Sequence, residues 1–373
     1  MSMPDSNIVD ALPVETLFAS RIWFERWLAS FGGERSGWWR PPVSASYELP
    51  YVLRRSRIGP FAVSVAWGAA NFHTPRFDVC GGGTPTPEHV HLMLRELEAS
   101  VLVFPLVSRG SKIARAAERA SRDLWLFRDF CESAPFIDCA GSWEGYLASR
   151  GKTRSREWRY NERRAANAGM SVAMLSFWSE TAPILDQMLA VEASGWKGEL
   201  GSSISQSARL RTFYEEVCRD FASLGAIRVF LLWSAERIVA FQICVLHAGT
   251  LTSWKIGYLA EFAKYSPGQV LQMHILRWAF MQADVLIFDM LGPVSPTKMK
   301  WATGIDELST IYVFRRSAGG AIARLRWQIA PRLKSRLARA SEARVPEEHD
   351  DETTDATAAE RPATGSLPTP REQ

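Results

Sequence analysis

With 373 residues, 47% of them apolar and 23% charged, the chain is long enough for two lobes with cores of ordinary size, and its composition excludes a disordered or fibrous protein. The net charge of +4 does not by itself call for a nucleic-acid partner. The five cysteines, Cys80, Cys131, Cys139, Cys218 and Cys244, are scattered and form no CxxC pair, which argues against zinc or a disulfide framework and for a reducing compartment. No basic region followed by an apolar run opens the chain, and no apolar run reaches membrane-spanning length, so a soluble cytoplasmic protein is expected.

In chain order, Ile22 to Phe31 read as a short amphipathic helix stopped by Gly32-Gly33. Tyr47 to Arg57 and Phe61 to Trp67 read as two strands of a hairpin turning at Ile58-Gly59-Pro60. After a turn-rich loop from Pro75 to Thr86, the run Thr86-Pro87-Glu88 starts a helix. Ser100 to Val107 is a buried strand, Ser111 to Ala120 a helix, and Leu124 to Phe127 and Ala134 to Asp138 are two further strands. The pair His89 and His91 lacks a third ligand, so no metal is expected there, nor at His73. This first lobe, 15–141, is followed by a basic helical connector, 142–168, in which Lys152, Arg156, Arg159 and Arg163 share one face with Trp158 and Tyr160 interleaved. Such a face suits phosphate, or is simply solvated.

A second lobe, 169–318, restarts with strand 171–177, helices 181–194 and 206–223, and strands 226–233 and 237–247. Its organising stretch runs from Leu251 to Trp301. Leu251 to Tyr258 alternate like a strand, which sends Trp254 and Lys255 to opposite faces, and Gln269 to Met281 have helical period. Between them Tyr265-Ser266-Pro267-Gly268 offers a Ser266 cap, Pro267 at the first helical position and Gly268 open to an approaching group, which suits either an anion site or a helix start that binds nothing. The next strand, Val285 to Phe288, ends in Asp289, and ligand is expected at the carboxyl ends of this parallel unit. A last strand spans Ser309 to Arg315. Residues 319–340 form a basic amphipathic helix, and 341–373 an acidic, disordered tail.

The ordered series Gly195-Trp196-Lys197-Gly198 with Gly201, Ile238-Val239-Ala240-Phe241, Lys255-Ile256-Gly257-Tyr258, Ser266-Pro267-Gly268, Phe288-Asp289, and Lys298 with Trp301 resembles the GNAT acyltransferase fold. It is most similar to the FemAB-like acetyltransferases, among them CelD-type proteins associated with cellulose and exopolysaccharide synthesis. The resemblance implies an α/β (α+β) architecture of two GNAT-like lobes, with mixed, mostly antiparallel sheets flanked by helices. It also implies transfer of an acyl group from acetyl-CoA or another acyl-CoA, as co-substrate and without a metal, to an amine or hydroxyl. The acceptor would be a small molecule or saccharide: a sugar, an envelope or exopolysaccharide precursor, or an amino-acid derivative. The sequence departs from the usual pyrophosphate loop in having Tyr265 and Val270 at its outer positions, and Thr297 stands where a tyrosine often precedes Lys298.

Within that frame Asp289 is the candidate to hold or deprotonate the acceptor, with Glu192 as the second base. Lys255 stands out as a charge in a central strand, and Tyr258 is a phenol close to the donor loop. Tyr265, Ser266, Pro267, Gly268 and Gln269 would bind the donor, while Trp196, Lys197, Lys298 and Trp301 would line the acceptor cleft. Two rival readings remain. One is an aminoacyl-tRNA-dependent ligase of the FemX type, the only case in which a nucleic-acid partner is expected; the other is a non-catalytic scaffold in polysaccharide synthesis. Peripheral contact with the inner face of a membrane through 321–340 competes with a docked helix whose basic face is solvated.

Overall fold

The computed structural model describes residues 15–42, 46–194, 204 and 207–330. The Gly195 to Gly201 series with Trp196 and Lys197, the end of the basic segment, and the acidic tail lie outside the described residues.

The first half of the chain supplies α1 (Arg21–Phe31), β1 (Ser36–Trp39), β2 (Tyr47–Ile58), β3 (Phe61–Gly68), β4 (Cys80–Gly81), α2 (Pro87–Glu96), β5 (Val101–Ser108), α3 (Lys112–Ala120) and β6 (Trp125–Asp138). The expected cap at Thr86 forms, with its hydroxyl accepting the His89 N–H at 3.4 Å. Strand β1 has no counterpart among the expected elements, because four residues, one of them Gly, carry no readable period. The second half supplies α4 (Trp143–Ser149), α5 (Lys152–Asn167), β7 (Met170–Leu175), α6 (Leu185–Ala193), α7 (Ala208–Ser223), β8 (Ile227–Ser234), β9 (Arg237–His247), β10 (Thr250–Tyr258), α8 (Pro267–Met281), β11 (Ile287–Asp289), α9 (Pro296–Met299), β12 (Gly304–Phe314) and α10 (Ala318–Arg324).

All strands but β4 form one path in the order β1-β2-β3-β5-β12-β6-β11-β10-β9-β8-β7. The pairs β3/β5 and β10/β11 are parallel, and the other neighbours along the path are antiparallel. Two expectations change here. The segments 124–127 and 134–138 are one 14-residue strand, β6, whose polar middle, Arg128 to Glu132, masks its continuity in the sequence. The last strand starts earlier than Ser309 and lies between β5 and β6. The two halves therefore share a single sheet, because β12 inserts between β5 and β6, on a long antiparallel ladder from Gly304↔Phe136 to Phe314↔Trp125, and β11 pairs with the other side of β6.

Alternating side chains feed opposite faces. On β8, Ile227, Val229 and Leu231 join the core under α1, α2, α3, α6 and α7, while Phe230 and Leu232 join the core under α4, α5 and α8. A smaller core beneath α10 holds Tyr312, Phe314 and Ala323. No described helix is long and apolar enough to cross a membrane.

Helices α5 and α8 are tied by Glu162, whose carboxylate meets His274 Nε2 at 3.1 Å and Arg277 at 2.9 Å. Burial pushes the His274 imidazole below its ordinary value of 6.5, against the opposing pull of Glu162. Near that pH the unfolded chain holds more protons than the folded one. The contribution is therefore complete above pH about 6.5 and is lost as the pH falls below it. Denaturation midpoints should drop on acidification from pH 7 to 5, and His274→Asn should flatten that slope; identical slopes for parent and variant would contradict the assignment.

Candidate active site

The site grows out of an uneven pairing of β10. Thr250 to Thr252 are bonded on both sides, to β9 and to Ile287 to Asp289 of β11. Among the described residues only β9 continues beyond Thr252, because β11 ends at Asp289 and the chain turns off through Leu291 (φ 47) and Gly292 (φ 62). Parallel strands that part in this way leave a wedge with the backbone edge of Ser253 to Tyr258 along one wall. The ladder between β10 and β9 also slips between Ser253 and Lys255, so Trp254 is the extra residue of a bulge. The expected opposition of Trp254 and Lys255 is undone by that bulge. The Trp254 ring lies 5.0 Å from the Tyr214 ring, and Lys255 Nζ sits 4.5 Å above the same ring.

Tyr214 links the halves of the chain. Its hydroxyl shares a 2.8 Å hydrogen bond with His73 Nδ1, 141 positions away. Burial raises the phenol well above its ordinary value, and the nearby Glu192 carboxylate adds to the effect. Glu192, which as a helical glutamate would ordinarily be solvated, is only 4% exposed and accepts the Ile204 N–H at 2.9 Å. Gly257 makes this approach of α6 to β10 possible, since a Cβ there would lie 2.7 Å from the Phe241 ring and 3.3 Å from Glu192 Cα. His73 and Tyr214 had no local signal of function in the sequence; the fold alone joins them to each other and brings Tyr214 to Lys255 and Glu192.

At the far end of β10, the expected Ser266 side-chain cap does not form. Ser266 instead takes a left-handed conformation (φ 54, ψ 52), and its carbonyl accepts the N–H groups of Gln269 and Val270, each at 3.0 Å. Of the first-turn amides, this leaves Gly268 without a bond to Ser266. Gly268 is exposed, and a Cβ there would meet only Tyr258 Cδ1, at 4.0 Å, so the approach is open. Gln269 Oε1 accepts from Asn161 of α5 at 3.0 Å. Lys264 Nζ lies 5.0 Å and Arg164 5.9 Å from the Tyr265 ring, while Val270 is in the core. Lys152, Arg156, Arg159 and Arg163 are all exposed on α5. An open helix N-terminus flanked by cations fits the phosphates of an acyl-CoA.

Three expected site residues have other work. Trp301 is 3% exposed and stacks on Trp158 with 3.6 Å between rings and 7° between planes, and its carbonyl accepts the Tyr146 hydroxyl at 2.7 Å. It is core and not a cleft wall. Lys298 Nζ bonds the Leu291 carbonyl and reaches that of Pro293 at 3.3 Å, so it clasps the turn after β11, and burial lowers its pKa. Asp289 is 1% exposed; Arg76 holds its Oδ2, and the Leu291 N–H donates to its Oδ1 at 3.0 Å. Both oxygens are engaged, which suits an ion-pair partner better than a proton acceptor. Trp196 and Lys197 lie outside the described residues.

Residues 152–299 match the family model of the acetyltransferase (GNAT) domain. Among solved structures, the C-terminal domain of a putative lysylphosphatidylglycerol synthetase from Agrobacterium fabrum is 13% identical over 81% of this chain and 89% of its own, with a TM-score of 0.54. A conserved protein of unknown function from Bacteroides thetaiotaomicron is 10% identical over 80% and 90%, with a TM-score of 0.51. At these identities the likeness is one of fold. Among curated proteins, none matches the chain. The stretch that runs from α5 through the wedge to α9 is therefore the part of the chain that is similar to a GNAT acetyltransferase domain.

Proposed function

We propose that this protein moves an acetyl or other acyl group from acyl-CoA to an amine or hydroxyl of a sugar, an envelope or exopolysaccharide precursor, or an amino-acid derivative, in the manner of FemAB-like enzymes. The observation that carries this reading is that the open Gly268 helix end sits beside Tyr258, the last residue of β10, whose bulged edge past Thr252 has no β11 partner. Donor phosphates would meet the Gly268 amide with Lys264 and Arg164 alongside, and the rest of the donor would run along Ser253 to Tyr258 by backbone hydrogen bonds. The acceptor nitrogen or oxygen then bonds to the acyl carbon as the C–S bond breaks, and the acceptor's proton ends on the thiolate sulfur. Tyr258, half exposed beside Gly268, is the phenol placed to pass that proton. Lys255, held on the Tyr214 ring at the bulge, is the cation placed to orient the acceptor or offset charge on the carbonyl oxygen. Glu192 shapes the wall behind Gly257.

A filled donor groove would favour the scaffold reading, but Val270 points into the core and Gly268 is open. The exposed basic face of α5 favours an aminoacyl-tRNA donor as the second reading. Thermal unfolding with acetyl-CoA at one hundred times its Kd should show a stabilisation of about 2.7 kcal/mol, since a ligand bound only by the folded state stabilises by mass action. No shift with acetyl- or longer acyl-CoA, together with steeply salt-dependent tRNA binding, would replace the first reading with the second.

A further inference from the structure

Arg76 belongs to the first half of the chain, yet its side chain ends inside the second. Its backbone is fixed by the two residues after it. The Phe77 N–H donates to the Leu106 carbonyl at 3.1 Å, and the Phe77 ring stacks 6.4 Å from that of Phe104. Gly68 makes room for it, because a Cβ there would come within 2.5 Å of that ring. Asp78 accepts the N–H groups of Val79, Lys112 and Ile113 at 2.8, 2.7 and 3.0 Å. Residues 76–79 thus lie along β5 past the end of β3, and Arg76 leaves them as a short arm with a rigid base.

The Arg76 side chain is 12% exposed, and its guanidinium serves the carboxylates of two side chains that are 2% and 5% exposed. Its Nε and Nη2 donate to Asp289 Oδ2 at 3.0 and 2.9 Å, and Nη1 donates to Asp306. Asp289 is the last residue of β11 in both its ladders, opposite Thr252 on β10 and Phe136 on β6. Asp306 lies on β12 opposite Ala134 of β6. The point where β10 and β11 separate is therefore pinned from outside the strand pair by a residue 213 positions away. Without the guanidinium, two carboxylates would be left buried beside each other.

We propose that Arg76 is a positioning residue that fixes where β11 leaves β10, and so sets the wedge that receives the acyl donor. This rests on the reading of that wedge as the donor site. It makes the first half of the chain a functional part of the second half's site. The planar, two-edged guanidinium suits this role, since a lysine would reach one carboxylate at a time.

The test uses the full chain with Arg76→Lys, Arg76→Met and the charge-free triple variant Arg76→Met, Asp289→Asn, Asp306→Asn. Calorimetric affinity for acetyl-CoA is measured well below each variant's Tm. Arg26→Met serves as control, because it breaks an ion pair with Glu216 and Asp220 between α1 and α7 and touches neither strand of the wedge. Affinity should fall about tenfold or more in the Arg76 variants, including the triple variant with its charge balance restored, and stay at the parent's value in Arg26→Met. Should Arg76→Met fail to fold, Arg76→Lys decides. Variants that bind acetyl-CoA within twofold of the parent would overturn the positioning role alone, whereas a parent that binds no acyl-CoA would take the donor reading down with it.

Discussion

Trp301→Ala should lower stability by about 3–5 kcal/mol, because it removes a large aromatic from a filled interior. The ring lies flat against Trp158, itself 1% exposed, and together the two indoles join α5 to the connection between β11 and β12. The Tyr146 hydroxyl on the Trp301 carbonyl adds a third element, α4, to the same knot. Neighbouring side chains on three elements cannot all close a void of that size, so transfer and cavity costs add. Chemical denaturation should show a lower midpoint at an unchanged slope. The competing expectation, that Trp301 lines the acceptor cleft, predicts lost turnover at parental stability. An unmoved midpoint would return the residue to the cleft.

Gly268→Trp should do the reverse, leaving stability within about 1 kcal/mol of the parent and removing the acetyl-CoA shift. Around Gly268 a new Cβ meets nothing closer than Tyr258 Cδ1 at 4.0 Å, so the fold has room for a side chain that the donor would not tolerate. A graded series sharpens the result. Gly268→Ala adds one methyl in ordinary contact and should change affinity only a few-fold, whereas an indole covers the amide that the phosphates would use. Equal stabilisation of parent and Gly268→Trp by acetyl-CoA would place the donor elsewhere, and with it the acyl-transfer site.

Most of the second half was legible as a series of elements. The strand at β10, the Pro267 helix start, the helix to Met281 and the short strand ending in Asp289 all announce themselves by period and punctuation. Period failed where a strand departs from it. The bulge at Trp254 turns two neighbours to one side, and the polar centre of β6 hides a single strand behind two apolar ends. Residue type misled at Lys298 and Trp301, because a lysine and a tryptophan near a site read as binding groups until their neighbours are known. At Ser266 the residue preference was that of a cap, yet the chain had to turn left-handed to join the short helical turn at Ala260–Tyr265 to α8, and the side chain lost its acceptor position.

The sequence by itself determined the α/β alternation, the apolar faces of the helices, the cation-rich connector and the open glycine at the start of α8, because each depends on residues within a few turns of one another. Only the tertiary structure decided that both halves share one sheet, that Tyr214 meets both His73 and Lys255, and that Asp289 is held by Arg76. Those pairings span 141 and 213 positions for the two hydrogen bonds, and no local period encodes contacts at such range. They arise from the packing of whole elements, when β12 pairs with both β5 and β6 and β6 pairs in turn with β11.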